Sequence, residues 1–144
     1  MFARCVEQIY WANDLIIAWL REPGNADAKA VLLASHILTV QSIWIKRTLG
    51  QEYIPDAWRS HAVEAMPALN DANRKGFLEL LALDATQEIT YTMLDGKTVR
   101  VSRIDDILMH VLTHGFHHAG QMAANATARG LKFPGTAFIQ FARS

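Results

Sequence analysis

Four of the six histidines in this 144-residue sequence, His110, His114, His117 and His118, fall between positions 110 and 118. An imidazole that is neutral near pH 7 offers a nitrogen lone pair to a proton or to a metal ion. On a helix, at about 100° per residue, these four and Gln121 share one face. Ile107, Val111 and Met122 lie on or beside that face, which is therefore expected to point inward. Burying several imidazoles is costly unless their nitrogens find partners, and a metal ion is one such partner. Residues four apart on a helix have Cβ atoms roughly 5–6 Å from each other, so two such imidazoles can converge at a Zn–N distance of about 2.0–2.1 Å. Both His110/His114 and His114/His118 have this spacing; His114/His117, three apart, fits less well.

A third ligand must come from another element. His36 shares its helix face with Leu32, Leu33, Val40 and Ile43, a core face on which a polar residue needs a reason. With an inward-facing histidine pair on another helix, metal ligation is that reason. His61, among Arg59, Ser60 and Glu64, reads as a surface residue. Cys5 is the only cysteine and reads as a small buried residue of the first helix, so neither an internal disulfide nor a cysteine-based zinc site is expected. Three histidines plus water leave a coordination position open, as catalytic centres do. That ligand set suits Zn, Ni, Fe or Cu alike. Gln121 and those of His110, His117 and their neighbours that do not ligate are placed to orient the ligands or a substrate. Asp105 and Asp106 read as carboxylates favoured at a helix N-terminus, and Trp11, Trp19, Trp44 and Trp58 as core or interface residues. The sequence has no glycine-rich phosphate loop and no G-x-S-x-G elbow.

The elements that must position these residues are mostly helical. Phe2 to Leu20 places apolar residues at helical spacing, with Tyr10, Trp11 and Ile17 on other faces, so it must be covered nearly all round by its own bundle or by a second subunit. Arg21 to Asn25 breaks it. A second helix is expected from an N-cap at Asp27 to Leu49, with Lys46 and Arg47 in its last turns and Gly50 after it, followed by a loop over 50–56. Residues 58–66 and 71–83 look helical, interrupted near Pro67. Ile89 to Leu94 and Lys97 to Val101 are β-rich runs flanking Asp95-Gly96, the dipeptide of a tight hairpin turn. A last long helix is expected after Ser102, with Asp105 completing a variant capping box. It ends near Arg129, with Gly130 in the left-handed position after it, and Leu131 to Ser144 forms a tail. The expected fold class is all-α: a four-helix bundle with a small β-hairpin between the third and last helices, one domain over residues 1–144.

Bulk properties narrow the field. An apolar share of 51% with 19% charged residues belongs to a chain that buries a core. Fourteen basic against fourteen acidic residues, with no basic run, argue against a nucleic-acid partner. The most apolar stretch, Ala30 to Ile45, is shorter than a bilayer span of about 20 residues and carries polar groups, so no membrane partner is expected. The N-terminus does not read as a signal peptide, which makes the cytoplasm the expected location.

Several motifs taken together resemble the DinB family of bacterial proteins. They are Ile89-Thr90-Tyr91, Asp95-Gly96-Lys97, and the run from His110 through His114, Gly115, His117 and His118 to Gln121; His36, eight residues before Trp44, and Trp11-Ala12-Asn13 resemble the family's motifs in its second and first helices. The resemblance implies a four-helix bundle, a homodimer, and a divalent metal held by His36, His114 and His118. It also implies, as one possibility for activity, a metal-dependent transferase or isomerase that uses a low-molecular-weight thiol such as bacillithiol or mycothiol. The expected function is thus a metal-dependent thiol S-transferase or hydrolase-like enzyme, its catalytic residues unassigned; the alternative is a non-enzymatic metal-binding or stress-response protein. Two departures bear on substrate chemistry: Ala119 stands where the family usually has Arg after its second ligand of this helix, and the tail reads Pro134-Gly135-Thr136-Ala137 where the family has an Asp shortly after Pro.

Overall fold

A computed structural model describes residues 2–51 and 53–144, and the chain in it is mostly helical with one two-stranded antiparallel sheet. Its long helices are α1 (Phe2–Leu20), α2 (Ala28–Thr48), α3 (Met66–Leu80) and α4 (Ile104–Ala128). Strands β1 (Glu88–Thr92) and β2 (Val99–Arg103) lie between α3 and α4 in the chain, and a single-turn α5 (Phe138–Phe141) closes it. Helix α2 packs against α1, α3 and α4, and α1 also meets α3 and α4. One apolar cluster includes Ile16, Trp19, Ile37, Met66 and Met122; another gathers Val6, Ile9, Ile45, Phe77, Ile107 and Val111.

The shared helix starts where expected. The Asp27 carboxylate accepts a hydrogen bond from the Ala30 amide at 2.8 Å, satisfying a donor that the first turn leaves unpaired. Lys46 and Arg47 occupy its last turn, and Gly50, at φ 71°, takes the left-handed conformation beyond it. Glu52, within the loop expected over 50–56, lies outside the described residues. At 21 residues, α2 is longer than its most apolar stretch and long and apolar enough to cross a bilayer, but 72% of that apolar window is buried inside the protein. It is a core helix.

Polar side chains set the register of α1, α2 and α3. Asn13 donates to Gln41 Oε1 and Asn70 Oδ1, each at 2.9 Å; Asn73 donates to the Leu38 carbonyl at 2.9 Å and accepts from the Ser42 hydroxyl at 2.6 Å. Apart from Gln41 Nε2, which has no partner, these buried groups are paired, and a paired network ties each helix to one rotation and height.

Four expectations about the elements are corrected. Residues 58–62 are not helical, and a 3-10 turn at Val63–Ala65 leads into α3. The cause is tertiary: the Ala57 carbonyl accepts from the His36 ring, and the His61 amide donates to Ser35 Oγ at 2.9 Å. Pro67 opens α3 instead of interrupting it, because a first-turn residue needs no intrahelical amide bond. The capping box with Asp105 does not form. That carboxylate accepts from the Arg103 guanidinium, while the Ile104 and Asp105 amides donate to the Gln87 and Ala85 carbonyls at 3.0 and 2.9 Å. The hairpin turn is longer than two residues: the Met93 amide donates to the Thr98 carbonyl at 2.7 Å, and Asp95 accepts from the Lys97 and Thr98 amides.

Intrachain contacts cover much of α1. Ile17 is buried, Tyr10 donates to Asp71 at 2.8 Å, and Trp11 packs on Phe141 of the tail helix with centroids 5.7 Å apart. The apolar excess that suggested a second subunit is thus met largely by α3 and by a tail that folds back. Cys5 is half-buried, not buried.

Gly76 marks the closest approach of α2 and α3. A Cβ placed there would sit 2.5 Å from Ile45 Cγ2, a branch atom that cannot swing away. Gly76→Ala should therefore destabilise the protein: overpacking costs about 1–3 kcal/mol, against a helix-propensity gain of up to about 1 kcal/mol. A lower urea midpoint with unchanged slope is expected; a higher midpoint would show that the two helices can part without penalty.

Candidate metal centre

The three ligand candidates come from two helices. His36 stands in the middle of α2 among buried neighbours, and His114 and His118 lie one turn apart on α4, which packs along it. Their ring nitrogens converge: His114 Nε2 is 3.1 Å from His36 Nε2 and 3.2 Å from His118 Nε2, and ligand atoms from all three lie within 4.8 Å of one another. For a tetrahedral ion at a metal–nitrogen distance of about 2.05 Å, neighbouring ligand nitrogens stand about 3.3 Å apart. The spacing fits such an ion.

The opposite ring edges show how the lone pairs are aimed. His36 Nδ1 donates to the Ala57 carbonyl at 2.7 Å, and His118 Nδ1 donates to Gln121 Oε1 at 2.8 Å. A ring whose Nδ1 carries the proton presents a bare Nε2 when neutral, and outer hydrogen bonds of this kind fix the tautomer and rotation of metal-binding imidazoles. Gln121 in turn donates through Nε2 to His117 Nε2 at 3.2 Å, so one amide links His118 to His117. The indole of Trp58 lies flat on His36, 3.7 Å between centroids and 3° between planes, while remaining 50% exposed. His36 is therefore held from its edge and from one face.

The electrostatics favour uncharged rings. Burial lowers the His36 pKa despite the opposing bond to Ala57 and adds to the depressing effect of His118. His114 is lowered further, to about 3, by burial first and then by the neighbouring histidines His118, His36, His110 and His117. Neutral imidazole is the form that coordinates a metal.

The wider histidine face departs from expectation. His110, His117 and Gln121 are exposed, so the face is a rim and not part of the interior. His110 leans edge-on against Trp44, 5.4 Å between centroids, and reaches the triad only through His114 at 5.6 Å. His61 is not a surface residue: it is half-buried, its Nε2 lies 2.8 Å from the Thr39 hydroxyl, and burial lowers its pKa. Trp58, expected as a core or interface residue, is instead half exposed beside His36, and sequence reasoning passed over Ala57. Trp58 is separated from His36 by a loop of irregular backbone, and the Ala57 contribution is a carbonyl that any residue would supply, so neither leaves a pattern in the spacing.

A sequence model of the DinB family matches residues 17–144, nearly the whole chain. No curated protein matches it.

Two outcomes follow for metal binding. His36→Ala and His114→Ala should each abolish stoichiometric metal retention after dialysis, whereas His61→Ala should keep it and lose only about 1 kcal/mol of stability with the Thr39 bond. Gln121→Ala should retain the ion but bind it about tenfold more weakly, as removal of such an outer partner does. Full metal retention by the His36 variant would sink the three-ligand arrangement.

The pKa shifts also set a pH dependence. An unfolded histidine titrates near 6.5, above the depressed values of His36 and His114, so below that pH the unfolded chain binds more protons than the folded one. Their contribution to stability is present above about pH 6.5 and lost as the pH falls toward 3. A bound ion deepens this, because protons compete for all three ligands. Removing metal with a chelator should lower Tm at about pH 7.5 and have much less effect near about pH 5. Identical melting with and without confirmed metal at the higher pH would show that the ion does not support the fold.

Proposed function

The chain belongs to the DinB family, and from that footing we propose that it is a four-helix-bundle enzyme that holds one divalent metal ion, Zn, Ni or Fe, through Nε2 of His36, His114 and His118. The observation that carries this reading is the convergence of the three Nε2 atoms while two of the rings are tied from behind. His36, His114 and His118 would hold the ion, whose Lewis acidity would make a thiol or water a nucleophile near neutral pH. The reaction class is transfer or hydrolysis, with a low-molecular-weight thiol as the favoured co-substrate.

The residues around the triad divide the remaining tasks. Trp58 shields one face of His36 and presents its outer face to solvent, where an apolar part of a substrate can stack. His117 and Gln121, exposed at the rim, offer hydrogen-bonding groups beside His118. Ala119 is buried in the apolar cluster and cannot supply the charge of the arginine that relatives usually carry there. A homodimer belongs to the same reading. Val99 and Val101, more than half exposed on β2, are better candidates for its interface than α1.

One observation favours the second reading, a non-enzymatic metal-binding protein. A cleft of about 280 Å³ lies beside Arg47 and Tyr91, and none of the triad residues lines it. Cobalt(II)-loaded protein titrated with 2-mercaptoethanol separates the two. A new thiolate-to-cobalt charge-transfer band in the near ultraviolet, lost in His114→Ala, is expected for the enzyme. A d–d spectrum unmoved by thiol would remove the thiol chemistry and leave metal binding alone. Light scattering should give twice the chain mass; the mass of a single chain at micromolar concentration would overturn the dimer.

A further inference from the structure

Beyond His36, toward the C-terminal end of α2, lies a charge with no counter-charge among the described residues. Arg47 is 7% exposed, yet none of the ion pairs among the described residues involves it, and its Nε and Nη2 have no hydrogen-bond partner. Its position in the last turn of α2 suits a cation, because carbonyl groups accumulate there. That does not explain burying the guanidinium, which a chain end in water would serve equally well.

The aromatic neighbours satisfy only part of the group. The guanidinium carbon lies 5.1 Å from the Trp44 ring centroid and 5.2 Å from that of Tyr91, and contacts of this kind stabilise a cation through π faces. They leave the in-plane N–H bonds unpaired. Nε and Nη2 lie on the same edge of the guanidinium and point two N–H bonds in nearly parallel directions, the geometry that grips a carboxylate or phosphate with two bonds at once. The orphaned atoms therefore form one complete binding edge.

That edge belongs to a residue lining the 280 Å³ cleft between the end of α2 and the outer part of the hairpin. The other polar lining comes from Gln51, Tyr53, Thr90, Tyr91 and Thr92, whose hydroxyl and amide groups can bond the remaining oxygens of an anion. Among the described residues the lining includes no acidic one. The volume lies just under the range of roughly 300–1,000 Å³ of drug-sized sites, which suits a small ligand. We propose that this cleft is an oxyanion site, in which Arg47 takes a small carboxylate or phosphate ligand through its Nε–Nη2 edge. It is distinct from the triad: His36 and Arg47 stand eleven residues apart on α2, about 16 Å along its axis. Both nitrogens lie behind the cleft surface. The ligand reaches them as the Arg47 side chain turns that edge toward the cleft.

The test uses the full chain freed of metal, so that an anion cannot register by binding an ion at the triad. Inorganic phosphate and acetate are titrated separately at constant ionic strength, with chloride as control, while the Nε–H resonance of Arg47 is followed by NMR. At least one of the two oxyanions should shift it saturably, and whichever binds more tightly identifies the source. Arg47→Lys should weaken that binding about tenfold or more, since an ammonium cannot reproduce the two-bond edge. Gln51→Glu, at an exposed position that leaves the fold untouched, should weaken it as well by placing a negative charge at the mouth. Shifts that fail to saturate and match those of chloride for both anions would overturn the site, as would binding left unchanged by the Gln51 variant. Binding that emerges only in Glu52→Gln would also overturn it, because a carboxylate of the chain itself would then own the edge.

Discussion

Three nitrogen lone pairs aimed at one point repel each other unless a cation stands between them, and the middle of this protein is arranged around that constraint. In His36 and His118 the proton is drawn to the outer nitrogen, by the Ala57 carbonyl and by Gln121, which leaves the inner Nε2 atoms bare. His114 Nε2 lies close to both. One proton on His114 can be shared between the two neighbours, and nothing more positive than that is available from the rings while they stay neutral. A divalent ion satisfies the same three lone pairs at once and at ordinary ligand spacing. Ordinary protonation is a poor substitute, since a second charge in the cluster would meet the first and be denied water.

Holding that geometry falls to α2, the helix every other long helix touches. The triad is accurate only if α2 and α4 keep their relative height and rotation, and apolar packing alone tolerates small slips. The polar bonds among Asn13, Gln41, Asn70 and Asn73 resist such slips from the side of α1 and α3. The close contact of Gly76 with Ile45 fixes how near α3 can come. The loop after α2 contributes as well: Ala57 and Trp58 grip His36 while the His61 backbone and ring hold Ser35 and Thr39 of the same helix. Residues 57–61 are thus irregular in part because the Ala57 carbonyl and His61 serve α2 while the Trp58 and Arg59 amides turn to Asp56.

This explains which parts were legible in the sequence. Helices α1, α2 and α4 announce themselves by periodicity, a cap at Asp27 and glycines beyond their ends, all local signals. The pairing of His114 with His118 is local too, since one helical turn joins them. Choosing that pair over His110/His114 was not: both have the same spacing, and the resemblance to relatives made the distinction. What was lost is non-local. Residues 58–66 have helical composition, and contacts with α2 keep 58–62 out of a helix. His61 looks exposed by its neighbours and is half-buried against Thr39. Asp105 has the spacing of a cap but is taken by Arg103, while carbonyls from the 85–87 segment occupy the amides it would have served.

The same helix carries two electrostatic anomalies of opposite sign. Near its middle, His36 contributes to a cluster of lone pairs that a cation would satisfy; near its end, Arg47 is a buried cation with no ion pair among the described residues. Neither arrangement stabilises a fold by itself, because a buried charge or polar group without a partner costs more than an apolar residue in its place. Packing could have been served by leucine at both positions. Between them runs a line of aromatic contacts, with Trp44 edge-on to both Tyr91 and His110, and His110 beside His114. These rings shape the wall from the cleft to the rim of the triad without adding charge to it. Groups suited to a cation and to an anion thus stand about 16 Å apart along a single helix, an arrangement that packing alone does not account for.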